Sequence, residues 1–62
     1  MLLTDLLKVL DKYDFMEIYE GNSCLADGYA DSLQNNFALQ GKRVTYIGMS
    51  YGELRIEVEE ND

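Results

Sequence analysis

No histidine, proline or tryptophan occurs in these 62 residues, and Cys24 is the single cysteine. Each absence closes a class of chemistry. Without histidine, no hydrolytic triad can be built on Ser23, Ser50 or Cys24, because none has an imidazole base to activate it. One cysteine with no histidine cannot supply the sulfur and nitrogen ligands of a tetrahedral zinc site, and it cannot close a disulfide within the chain. Such usage suits a reducing cytoplasm. Long apolar runs are missing too. The stretch "MLLTDLLKVLDKYD" carries Asp5 and Lys8 inside its apolar part and has no basic leader, so neither a membrane span nor a signal peptide is expected.

Positive charge is the next scarcity. Twelve Asp and Glu stand against five Lys and Arg, a net charge of −7, which repels nucleic acid and anionic lipid, so direct binding to either is not expected. The charge is segregated: from Asp11 to Asp31 there are six acids and one base, and from Glu53 onward five acids and one base, with the pair Lys42-Arg43 between them. These acids fall on expected strand surfaces and turns, not in a cleft that could separate their pKa values for acid–base work. "DGYAD" and "EGNS" lack the spaced ligand run of a calcium loop, and "GMSYG" lacks the lysine and glycine spacing of a phosphate loop. No enzyme, metal site or cofactor is expected.

What is present fits one small α+β domain over residues 1–62. Hydrophobic residues make up 47% of the chain, enough to fold it, although a chain this short buries only about 60% of its unfolded surface. A very well packed core or a second copy is therefore expected to complete it. At roughly 100° per residue, Leu2, Leu3, Leu6, Leu7, Val9, Leu10 and Tyr13 share one arc, predicting an amphipathic helix over 3–12 with Thr4 as its cap. "DFMEIYEGNSCLADGYA" predicts a hairpin of 15–20 and 24–29 about Gly21-Asn22, with Gly28 marking a bulge or a strand end. Phe15, Met16, Ile18 and Tyr19 put apolar groups on both faces of its first strand, as in an interior strand. "DSLQNNFALQG" predicts a short helix, with Leu33 and Phe37 four apart, Asp31 as cap and Gly41 as stop; Lys42 and Arg43 follow its negative end.

The closing segment, "VTYIGMSYGELRIEVEE", predicts a hairpin turning at Tyr51-Gly52. Met49 with Leu54, Ile47 with Ile56 and Thr45 with Val58 then share the core face. Val44, Tyr46, Gly48 and Ser50 oppose Glu59, Glu57, Arg55 and Glu53 on the other. The whole reads helix, two strands, short helix, two strands, as one antiparallel sheet with the leucine-rich helix on one face. On the outer face Glu57 and Glu59 would stand about 6.8 Å apart, a spacing not unlike that of neighbouring phosphates on one nucleic-acid strand. Tyrosine gives large contact area with a polar tip and suits interfaces. Tyr46, Tyr51, Glu53, Glu57 and Glu59 are therefore the candidate partner-binding residues, and the partner expected is a protein, in particular a basic nucleic-acid-binding one. The alternative is a self-associating structural domain, a homodimer joined through a strand edge or these tyrosines.

The pattern "LTDLLKVLDKYDFMEIYE…LADGYAD…GKRVTYIGMSYGELRIEVEE" resembles the small acidic proteins encoded in phages and prophages of Gram-positive bacteria. The likeness covers nearly the whole chain: the leucine-rich opening, the "MEIYE" strand, the glycine step in "LADGY", and the ending "IEVEE". It implies a phage origin and a place in the host cytoplasm, with no catalytic residue to carry over. Proteins of this kind include inhibitors that occupy the nucleic-acid site of host defence or repair enzymes.

Overall fold

A computed structural model describes residues 1–61, so Asp62, the last of the acids counted above, lies outside the described residues. The chain runs α1 (Leu3–Val9), β1 (Phe15–Glu20), β2 (Ser23–Tyr29), α2 (Ala30–Leu33), a 3₁₀ turn (Phe37–Leu39), β3 (Lys42–Ser50) and β4 (Glu53–Glu60). Helix, hairpin, helical crossover and hairpin thus follow the expected α+β order. The four strands lie in the order β2-β1-β4-β3. Each hairpin is antiparallel, but the inner strands β1 and β4 meet in parallel, with Met16 opposite Leu54 and Ile18 opposite Ile56. The sheet is mixed, which corrects the wholly antiparallel arrangement expected from two hairpins. Hydrophobic burial accounts for the joint: Met16, Ile18, Ile56 and Val58 are all buried, and pairing β1 with β4 sets them side by side at the sheet centre. Parallel neighbours need a crossover. Residues 30–41 supply it on the helical side, carrying Ala30, Leu33 and Leu39 into the core.

The opening helix is shorter than its pattern suggested. It stops at Val9, and Leu10 is already extended (φ −79°, ψ 151°), its amide closing on the Leu6 carbonyl. Leu3, Leu6 and Leu7 are buried, whereas Val9 and Tyr13, expected on the same face, are 77% and 72% exposed. Val9 lies about 110° round the helix from the middle of the buried stripe, beyond the reach of a single sheet face. Thr4 does not cap the helix: Leu2 holds that position, and its carbonyl accepts from the amides of Asp5 and Leu6.

The crossover is two short pieces instead of one helix. Asn35 and Asn36 interrupt it, as asparagine does when its side chain competes for backbone groups; Asn36 Oδ1 accepts from the Ala38 amide at 2.9 Å and starts the 3₁₀ turn. Asp31 caps no helix, since Tyr29 holds the N-cap position; its carboxylate takes the neighbouring Ser32 amide. Phe37, expected to pack with Leu33, is 83% exposed, and Leu39 is the residue that fills the core. Gln34 Nε2 donates to the Leu7 carbonyl at 3.0 Å, satisfying a free acceptor at the end of α1.

Two bulges adjust the hairpins. In the first, the register shifts at Leu25, between the pairs Ile18–Ala26 and Tyr19–Cys24, while Gly28, expected as a bulge or a strand end, stays in register opposite Met16, one residue before β2 ends. In the second, the shift falls at Thr45, so that Val44 and not Thr45 opposes Val58. The extra residue turns Val44 inward against the core and leaves Thr45 outside, its hydroxyl bonded to the Glu57 carbonyl.

Lys42 closes the end of the sheet away from the Tyr51-Gly52 turn. Instead of serving the preceding helical segment, its ammonium binds Glu20 at 2.8 Å and Glu60 at 2.6 Å, tying the ends of β1, β3 and β4 together. The hydrogen bonds that Lys42 donates to Glu20 and then to Glu60 raise its pKa, and the bond from Lys42 lowers that of Glu60. The signs define a window. The raised lysine contributes stability that is whole below the ordinary lysine pKa and is lost as pH climbs through its folded value. The depressed glutamate contributes stability that is whole above the ordinary carboxylate pKa and is lost as pH falls through its folded value. Thermal melts across pH are expected to show wild type above Lys42→Met by a steady margin at neutral pH, narrowing at both extremes. A margin unchanged in acid and alkali would contradict the clamp.

Candidate interaction surface

Both helices and the 3₁₀ turn contribute to one face of the sheet, and among the described residues the other carries no helix. By strand alternation this open face presents Phe15, Glu17 and Tyr19 from β1, Asp27 and Tyr29 from β2, Glu53, Arg55, Glu57 and Glu59 from β4, and Tyr46, Gly48 and Ser50 from β3. Arg55 lies at its centre. The guanidinium carbon sits 3.7 Å from the centroid of the Tyr19 ring, a cation–π geometry, while Nε donates to Glu57 Oε2 at 3.1 Å. The parallel joint makes this possible, because it sets Tyr19 opposite Glu57 and Glu17 opposite Arg55.

Opposite Arg55 on β3 stands Gly48. The Tyr46 side chain folds along its own strand over this glycine, and any Cβ there would fall inside the phenol ring and hydroxyl. Glycine at position 48, opposite Arg55, leaves the room that the Tyr46 ring occupies. Across the sheet, the rings of Phe15 and Tyr29 pack edge to face, 5.5 Å apart at 84°. The Tyr19 hydroxyl donates to Glu17, and its pKa is raised, chiefly by the Glu17 charge and then by desolvation, with Arg55 opposing.

Of the residues singled out in the sequence, Tyr46, Glu53, Glu57 and Glu59 share this face, with Tyr46 half exposed. Tyr51 stands apart at the tip of the turn, fully exposed. Two of the glutamates are not a free charge row: Glu57 is paired with Arg55, and Glu59 with Arg43. Glu17, Asp27 and Glu53 have no ion-pair partner among the described residues. Tyr19, Phe15, Tyr29 and Arg55 were missed as site residues. The alternation in "FMEIYE" marked Phe15 and Tyr19 as facing away from Met16 and Ile18, but only the β1–β4 joint sets Tyr19 against Arg55.

The helical side is incompletely covered. Ile47 and Met49, expected in the core, share the side of Ile56 and Leu54 but lie on the edge strand, 49% and 66% exposed. At the turn end of the sheet a groove of about 470 Å³ is lined by Leu10, Tyr13, Asp14, Phe15, Met49, Gly52, Glu53 and Leu54.

Tyr51 and Gly52 have φ of 53° and 80°, the positive pair of a type I′ turn. Tyrosine in this left-handed region costs roughly 1–2 kcal/mol, and asparagine tolerates it better. Tyr51→Asn is expected to stabilise the fold by about 1 kcal/mol in urea titration; a loss of stability would show that the ring makes contacts in the folded chain.

Among the described residues no group of three or more His, Cys, Asp or Glu could hold a metal ion, and no helix is long and apolar enough to cross a membrane. No family model, curated protein or solved structure matches this chain.

Proposed function

We propose that this is a non-enzymatic binding domain of phage type that offers its open sheet face to a protein in the host cytoplasm. The observation that carries the reading is the uncovered Tyr19–Arg55–Tyr46 cluster, bordered by the unpaired carboxylates of Glu17, Asp27 and Glu53. An arginine stacked on one tyrosine with a second tyrosine on the neighbouring strand supplies the anchors typical of protein interfaces, and the acids without an ion-pair partner among the described residues select a basic partner. A DNA-binding or defence protein carries such a basic surface. Strict nucleic-acid mimicry has less support than mixed recognition, because arginines neutralise Glu57 and Glu59, the pair whose spacing suggested phosphates.

Affinity capture from a bacterial host lysate tests the reading. A basic protein retained by wild type is expected to be lost with Tyr46→Ser combined with Glu17→Gln and Glu53→Gln, and retained by Phe37→Ser, an exposed site outside the sheet. Equal recovery by the first variant and wild type, or recovery of no basic protein at all, removes the proposal.

A further inference from the structure

The geometry points to a second binding surface: the outer edge of β3 pairs with the same edge of a second copy of this chain, antiparallel and centred on Gly48. β3 is an edge strand, with only β4 beside it. Its first part is already covered, since the Val44 amide donates to the Met1 carbonyl and Leu2 bridges Arg43. From Thr45 to Ser50 the edge is bare among the described residues. This stretch, and its extension from Val44 to Gly52, carries no charged residue in a chain that is 27% charged. It also lacks the proline and lysine by which exposed edges usually avoid pairing.

Hydrogen-bond polarity specifies the register. A two-residue turn makes Ser50 and Glu53 a bonded pair, so the amides and carbonyls of Ser50, Gly48 and Tyr46 face β4. Those of Met49 and Ile47 face outward. Past the bulge at Thr45 the Val44 amide faces outward again, as its bond to Met1 shows. When two such edges run antiparallel about Gly48, Ile47 of each copy lies opposite the partner's Met49. Their N–H and C=O groups meet, and the two-fold axis repeats the match. Centring on Ile47 would instead set Met49 against the bulge. The Gly48 register also fits the free length: each copy's turn arrives beside the other's Met1, where the bare edge ends.

Side chains favour the same occupant. Ile47 and Met49, half exposed or more, would form one apolar strip across the axis on the helical side. On the open side Arg43 is already paired with Glu59, so charge adds nothing to the match. A second copy is thus complementary in hydrogen bonding and apolar surface. This edge is distinct from the open face, so either proposal can fail alone.

Sedimentation equilibrium with amide exchange by NMR tests the pairing across a protein concentration series. The mass is expected to rise from monomer to dimer. The Ile47 and Met49 amides, fast-exchanging when dilute, should slow as it does, while those of Tyr46 and Gly48 stay protected throughout. Added salt should tighten the dimer, because each copy carries a net charge of −7 and screening weakens their repulsion. Met49→Lys, at a site exposed enough to leave the monomer's far-UV spectrum unchanged, should remain monomeric where wild type is dimeric. A chain that stays monomeric throughout overturns the inference. So does a dimer in which Ile47 and Met49 exchange as fast as when dilute, or a folded Met49→Lys that dimerises like wild type.

Discussion

Replacing Ile18 with alanine is expected to remove a large part of the chain's stability at room temperature. Ile18 is fully buried between Ala26 of β2 and Ile56 of β4, in the cluster that includes the α1 leucines. Removing such a side chain costs about 2–5 kcal/mol through lost transfer energy and the cavity left behind. A domain of this length has only roughly 3–9 kcal/mol of total stability, so the loss consumes most of the margin. Far-UV circular dichroism and urea titration would show it. A variant that melts within a few degrees of wild type would mean that β1 is not the central strand.

The second large effect separates two residues of the crossover. Leu39→Ala is expected to cost about 2–5 kcal/mol, while Phe37→Ala, at an exposed site, should change stability by less than about 0.5 kcal/mol. The contrast is unusual, since phenylalanine is the larger apolar group. It follows from the 3₁₀ turn, which points Leu39 into the core and Phe37 away. Equal costs, or the reverse order, would show that the crossover packs as one helix.

These two residues also mark where sequence reasoning stops. Regular alternation made the strands legible: Met16 and Ile18 against Phe15 and Tyr19, and Ile56 and Val58 against Glu57 and Glu59. The Tyr51-Gly52 turn was equally plain, because only one pairing of its arms keeps the glutamates out of the core. The crossover was not legible, because the spacing of Leu33 and Phe37 suits a helix that Asn35 and Asn36 interrupt. The bulge at Thr45 was invisible for a related reason: threonine suits a strand on either face, and only packing against Val58 selects Val44.

The candidate surface divides along the same line. Tyr46, Glu53, Glu57 and Glu59 share a face because they belong to one hairpin, whose register is local. Tyr19 reaches Arg55 only through the parallel joint between hairpins, and no short-range pattern records which strands of two hairpins will meet. The pairing of Arg43 with Glu59 and Arg55 with Glu57 changes the surface from a run of free charge to rings, an arginine and a few unpaired acids. Selectivity on such a face comes from shape and aromatic contact as much as from charge.

The joint between β1 and β4 creates this face, and NMR of the isolated chain tests it most directly. Stacking on the Tyr19 ring should shift the Arg55 side-chain protons strongly upfield, with cross-strand contacts between Ile18 and Ile56, and the shift should vanish in Tyr19→Leu. Unshifted Arg55 protons, or contacts that place β1 and β4 antiparallel, would contradict both the mixed sheet and the surface built on it.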